Sequence, residues 1–223
     1  MSTLNVTIVQ SPLVWHDAEA NRATFSRIIG NLTGSTDIIV LPEMFTTGFS
    51  MDAPNLAESA DGASVKWMQQ MAKDSAAAVC GSLIIVDRGD YFNRFFFVHA
   101  DGVVATYDKR HLFRLADEQH YYSQGVERIM FEYKGFRICP MICYDLRFPE
   151  LWRIAGQRNV DCFLIGANWP RSRIAHWRSL LVARAIEQQA WIVAANRIGS
   201  DPTIEYGGAS MVISPMGEIV AEL

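Results

Sequence analysis

Ile38-Ile39-Val40-Leu41 is apolar at every position and stops abruptly at Pro42-Glu43. A strand with no polar face needs cover on both sides. That excludes a simple sandwich with one wetted face per sheet and asks for layers. The rest of the chain agrees. Strand-like runs at Leu4–Val9, Val79–Val86, Phe92–His99, Val103–Tyr107, Ile129–Tyr133, Arg137–Ile142, Cys162–Ala167, Trp191–Ala195, Met211–Ser214 and Glu218–Glu222 alternate with helical periodicity at 18–32, 63–74 and 175–189. Asp17 is a plausible cap for the first helix. Gly89-Asp90, Asp101-Gly102, Lys134-Gly135 and Pro215-Met216-Gly217 mark hairpins. Helix-linked and hairpin-linked strands together predict an α/β protein with mixed sheets.

The 223 residues, half of them hydrophobic, suffice for one large core. A net charge of -4 supplies no basic patch for nucleic acid. No apolar run reaches the roughly 20 residues of a membrane span. Met1-Ser2-Thr3-Leu4-Asn5 lacks the basic-then-apolar pattern of a secretion signal, so the expected compartment is the cytoplasm. Of the four cysteines, Cys80, Cys139 and Cys162 sit in apolar runs and read as core. No C-x-x-C pair suggests a zinc or redox site.

Cys143 is different. It ends the apolar run Ile138–Ile142, and Pro149-Glu150 then opens a helix. A thiol on such a turn leaves the core and faces helix amides, which favour thiolate. Two other strand ends carry reactive groups: Glu43 after Pro42, and Lys109 after Val103–Asp108. In open α/β sheets, ligands gather beyond the carboxyl ends of strands. A carboxylate base, a thiol nucleophile and a cationic donor suit acyl transfer, with the Tyr144 N–H as a second oxyanion donor. Singly, each has a plainer reading: a salt-bridged strand end for Glu43, a solvated basic turn for Lys109-Arg110. Chain order alone does not bring the three together.

Leu41-Pro42-Glu43-Met44-Phe45, Tyr107-Asp108-Lys109-Arg110-His111-Leu112-Phe113 and Cys143-Tyr144-Asp145-Leu146-Arg147-Phe148-Pro149-Glu150 resemble, in order, the three signature blocks of the nitrilase superfamily, the carbon-nitrogen hydrolases. The resemblance covers nearly the whole chain. It implies a four-layer α-β-β-α sandwich, a homodimer, and a triad of Glu43 as general base, Lys109 as oxyanion donor and Cys143 as nucleophile, with no metal or organic cofactor. It implies one carbon-nitrogen hydrolase domain over 1–223, with the family's usual C-terminal tail missing after Glu222-Leu223. Glu118 matches a second glutamate that many members carry near the triad; the alternative is a surface acidic loop with Asp117.

Cys-Tyr-Asp-Leu-Arg-Phe-Pro is most similar to the omega-amidase branch, whose members cleave the terminal amide of alpha-ketoglutaramate and alpha-ketosuccinamate. Arg147 is then the candidate for the substrate carboxylate. Its alternative is a salt bridge with Asp145 or Glu150. Phe45, Asn168 and Trp169 are expected to line the pocket, although Trp169 also suits the core. Thr46–Met51, directly after the base, reads equally as a mobile lid or an ordered loop. Three rival readings stand beside this one. A papain-like enzyme would pair Cys143 with His111, the histidine nearest the proposed site. A silent scaffold would keep the fold without turnover. An N-carbamoyl amino acid or aliphatic amide hydrolase would use the same triad on another substrate.

Overall fold

The computed structural model describes residues 3–32, 36–156 and 159–223. The first two residues of the N-terminal stretch read for a leader lie outside them. Two mixed sheets stack face to face. The first runs β1 (Val6–Ile8), β2 (Ile38–Val40), β3 (Ala78–Asp87), β4 (Asp90–His99), β5 (Gly102–Asp108). Its β1-β2-β3 part is parallel and β3-β4-β5 is a pair of hairpins. The parallel links are helical: α1 (Ala18–Ile29) after β1, then the short α2 (Ala53–Leu56) and α3 (Ala63–Ser75) after β2. Asp17 does cap α1, accepting from the Ala20 N–H at 2.9 Å.

The second sheet has the order β13-β12-β9-β8-β7-β6. Its parallel centre is β7 (Phe136–Ile142), β8 (Cys162–Ala167) and β9 (Trp191–Asn196), linked by α4 (Pro149–Gly156) and α5 (Ile174–Gln188). Antiparallel strands flank it: β6 (Phe131–Tyr133) on one side, β12 (Met211–Ile213) and β13 (Ile219–Glu222) on the other. A small hairpin of β10 (Ile198–Ser200) and β11 (Glu205–Gly207) stands apart. The sequence reading passes over it, although Asp201-Pro202 between its strands is a turn signal.

Side-chain alternation explains the layering. Ile38, Val40, Cys80, Phe95 and Phe97 of the first sheet are buried in one core with the second sheet. Their neighbours Ile39, Leu41, Val79, Phe96 and Val98 are buried with Phe25 and Ile29 of α1 and Met68 and Ala72 of α3. Every residue from Ile38 to Leu41 is fully buried, as an all-apolar strand requires. In the second sheet the Phe163 ring lies 4.6 Å from that of Trp152 of α4, tilted against it, so that face meets helices. The order is therefore helix, sheet, sheet, helix. Gly166 of β8 turns the other way, toward the first sheet, where an added Cβ would stand 3.1 Å from the Glu43 nitrogen and the Leu41 oxygen. Among the described residues, no helix is long and apolar enough to cross a membrane.

Candidate active site

Each proposed reactive residue lies just past the carboxyl end of a strand, and the sandwich puts these ends together. Glu43 follows β2 in the first sheet, Lys109 follows β5, and Cys143 follows β7 in the second sheet. All three line one cleft with about 410 Å³ of space between atoms, its open mouth included.

Lys109 is the centre of a buried charge cluster. Its Nζ lies 2.8 Å from Glu43 Oε1 and 3.0 and 2.9 Å from the two oxygens of Glu118. None of the three is more than 1% exposed. Burial by itself would depress the lysine; the Glu118 and Glu43 charges outweigh it and hold the ammonium well above its ordinary value. Burial pushes the Glu118 carboxyl up, opposed by Lys109 and aided by Glu43. The Phe113 N–H also donates to Glu118 at 2.6 Å. The surface-loop alternative for Glu118 is therefore excluded by its position.

Glu43 is held from several sides. Asn93 donates to Oε1 at 2.8 Å and the Asn168 N–H donates to Oε2 at 3.0 Å. A carboxylate so oriented keeps its lone pairs directed. The loop after it is a wall. Thr46, Thr47 and Ser50 are buried, the Gly48 N–H donates to the Met44 carbonyl at 2.8 Å, and Asn21 donates to the Thr46 carbonyl at 2.8 Å. Of the two readings of Thr46–Met51, the structure supports the ordered loop. Its Phe49 lines the cleft, with Lys109 Nζ 5.1 Å from the ring centroid.

Cys143 sits at φ +40°, a left-handed backbone uncommon outside glycine. It begins a short 3-10 helix, Cys143–Arg147, before α4. The first amides of such a turn lack intrahelical partners, and Tyr144 supplies one of them. The thiolate expectation needs correction. Burial, then the Glu43 charge, pushes the Cys143 thiol well above its ordinary value, and Lys109 and the Asn168 N–H only partly offset them. A thiol so placed calls for a base before it can attack.

Asp145 fixes this turn. It is fully buried and accepts from the Ile142 N–H at 3.1 Å, Tyr107 Oη at 2.8 Å and the His111 N–H at 3.0 Å. His111 Nδ1 lies 2.9 Å from the same carboxylate, and its ring stacks on Phe148 at 3.7 Å. His111 is thus engaged with Asp145 and does not line the cleft, which removes the papain-like pairing.

The remaining expected residues divide. Arg147, Asn168 and Trp169 line the cleft. Arg147 forms no ion pair with Asp145 or Glu150; it lies 4.9 Å over the Trp169 ring and its Nη2 donates to His176 Nδ1 at 3.1 Å. Phe45 does not line the cleft. It is fully buried on the helix side of the first sheet, 5.6 Å from both Phe25 and Trp67. Met44 at φ +43° turns the chain there, so Glu43 and Phe45 point to different layers. Sequence reasoning missed Phe113, Arg173, Ile204 and Tyr206 in the cleft wall, and Asn93 behind Glu43. Only Phe113 lay within a recognised block.

With this geometry in hand, the comparisons fall into place. The carbon-nitrogen hydrolase family model matches residues 5–223, and the chain belongs to that family. The enzyme is an amidase of the omega-amidase-like branch of the nitrilase superfamily. It is 46% identical to omega-amidase YafV of Escherichia coli K12 over 99% of this chain and 85% of the relative. It is 41% identical to a 2-oxoglutaramate amidase of Bacillus subtilis, over 83% of this chain and 73% of the relative. The solved CN-hydrolase superfamily protein XC1258 of Xanthomonas campestris, which carries an arsenic adduct in its active site, superposes with a TM-score of 0.96 at 40% identity. That match covers 100% of this chain and 87% of the other.

Proposed function

We propose that this amidase hydrolyses the terminal amide of a small omega-amido 2-oxo acid, alpha-ketoglutaramate or alpha-ketosuccinamate. Ammonia and the free acid are released through a cysteine thioester. The observation that carries this reading is the placement of Arg147, without a carboxylate partner among the described residues, on the wall of the cleft that holds Glu43, Lys109 and Cys143. A guanidinium there suits the substrate's carboxylate while its amide reaches the sulfur. The names of the two curated relatives support the same substrate class.

The chemistry follows from the charges. Glu43 takes the thiol proton as Cys143 attacks the amide carbon. Lys109, kept cationic by two carboxylates, and the Tyr144 N–H stabilise the oxyanion. Glu43 returns the proton to the departing nitrogen, which leaves as ammonia, and the thioester remains. Water then attacks the thioester while Glu43 accepts its proton, and the acid leaves as Cys143 recovers its hydrogen. Glu118 holds Lys109 throughout and Asn168 holds Glu43.

The test is a hydrolysis panel of alpha-ketoglutaramate, glutamine, an N-carbamoyl amino acid, propionamide and a simple nitrile, with wild type beside Cys143→Ala. Selective ammonia release from alpha-ketoglutaramate, lost in Cys143→Ala, is expected. Preferred turnover of the carbamoyl compound or propionamide would overturn the substrate assignment, and full activity in Cys143→Ala would overturn the nucleophile. Absence of turnover on the whole panel would favour the silent-scaffold reading.

A further inference from the structure

Two guanidinium groups face the cleft, and the function above uses only one. Arg173 ends a short 3-10 turn, Arg171–Arg173, that leads into α5. Its guanidinium lies 5.6 Å over the Phe113 ring, much as Arg147 lies over Trp169. Both arginines and both rings line the cleft that contains Cys143. A guanidinium held over a ring by cation–π attraction still has N–H groups to direct at a ligand. Arg173 has no ion pair among the described residues, whereas nearby Arg171 is taken by Glu205 at 2.6 Å. The cleft wall therefore carries two positive charges and the buried centre carries Lys109 between two carboxylates.

We propose that Arg173 is a specificity residue that binds the 2-oxo oxygen of the substrate beside the carboxylate held by Arg147, and that the two cations together exclude the matching 2-amino acids. The inference rests on the omega-amido 2-oxo acid reading above. A 2-oxo acid presents three acceptor oxygens on adjacent carbons and one negative charge. Two guanidiniums offer only donors and positive charge, so the match is complete. Glutamine and asparagine have the same reach and the same terminal amide, but an ammonium replaces the carbonyl. That group cannot accept a hydrogen bond, and it brings a third positive charge against two others. Like-charge juxtaposition is an effective way to reject a near-identical molecule.

The test is steady-state kinetics of the full chain on alpha-ketoglutaramate, glutamine and glutaramate, which keeps the carboxylate and amide but has neither oxygen nor ammonium at the second carbon. Arg173→Met keeps an apolar stem over Phe113. It should lower kcat/KM on alpha-ketoglutaramate about 10- to 100-fold, mainly through KM, the size of a lost charge-assisted hydrogen bond. Glutaramate should stay within about twofold, and the preference for alpha-ketoglutaramate over glutamine should shrink. Arg173→Lys keeps the charge and should still reject glutamine. Equal losses on all three substrates would mean a merely structural part for Arg173 and would overturn the proposal, as would an unchanged preference in Arg173→Met. If wild type itself fails on alpha-ketoglutaramate, the functional reading falls and this inference with it; the wild-type arm tells the two failures apart.

Discussion

Asn168 grips Glu43 at both ends: its backbone N–H donates to the carboxylate at 3.0 Å, and its side-chain amide donates to the Glu43 carbonyl at 2.6 Å. Glu43 ends a strand of the first sheet and Asn168 follows a strand of the second. The proposed base is therefore positioned by contact between the two layers. Cys143 belongs to the second layer too, so one interface sets the distance between the proposed base and the proposed nucleophile.

Replacing Gly166 probes that interface. Gly166→Ala places a Cβ 3.1 Å from the Glu43 nitrogen and the Leu41 oxygen and 3.2 Å from the Pro42 carbonyl carbon, all backbone atoms that cannot rotate away. The end of β2 has to shift. Overpacking of this kind costs about 1–3 kcal/mol. Because a small misplacement of a catalytic group is costly, kcat should fall by about 10²-fold, more than the loss of stability implies. Turnover and thermal melts on the same protein check this; wild-type kcat would show that the sheets yield elsewhere.

Glu43→Gln should separate two effects that usually travel together. The Glu43 charge raises the Cys143 thiol, so removing it lets Lys109 and the Asn168 N–H pull the thiol down. Thiolate should then be present at lower pH than in wild type, read by ultraviolet absorbance or by the pH dependence of alkylation. Amide hydrolysis should nevertheless be lost, since no base remains to return a proton to the departing nitrogen. A thiol that titrates higher in Glu43→Gln contradicts the assignment.

Glu118→Gln leaves Lys109 with one carboxylate. Its ammonium, held up by both Glu118 and Glu43, should titrate lower. The alkaline limb of the pH–rate profile therefore moves to lower pH. We expect kcat to drop about 10²–10³-fold, the range for losing an oxyanion donor, with KM nearly unchanged. A change confined to KM would place Glu118 on the substrate instead.

Asp145→Ala strips four bonds from a fully buried carboxylate and leaves the Ile142 N–H, Tyr107 and His111 without their acceptor. A loss of about 3–5 kcal/mol follows from breaking such a buried network. For a chain of this size the melting temperature should fall by about 10 °C. Calorimetry checks it; a shift of a degree or two would mean that water replaces the carboxylate.

The strands were legible because their apolar runs are long and their turns carry glycine, as at Gly89-Asp90 and Lys134-Gly135. β8 matches its expected limits, Cys162–Ala167. The convergence of Glu43, Lys109 and Cys143 was legible from three blocks taken together. What surrounds it was not. Asn168 was expected in the pocket, but nothing local marks that it and Asn93 act on Glu43 across 125 and 50 residues. Arg173 belongs to no block that the sequence singled out, and only folding puts Phe113 beneath it. Phe45 misled for the opposite reason: adjacency in sequence to Glu43 says nothing about which layer a side chain enters once Met44 has turned the chain.

The burial of Cys143 beside Glu43 has a consequence for the enzyme between turnovers. Peroxides and other electrophiles react with thiolates, and sulfenic acid forms fastest at exposed, ionised cysteines. Cys143 is only 9% exposed, and burial and then the Glu43 charge push its thiol well above its ordinary value, which works against both conditions. Under the proposed mechanism the sulfur is activated only when an amide occupies the cleft and Glu43 accepts its hydrogen, so oxidative inactivation should be slow in the empty enzyme without any dedicated protective partner.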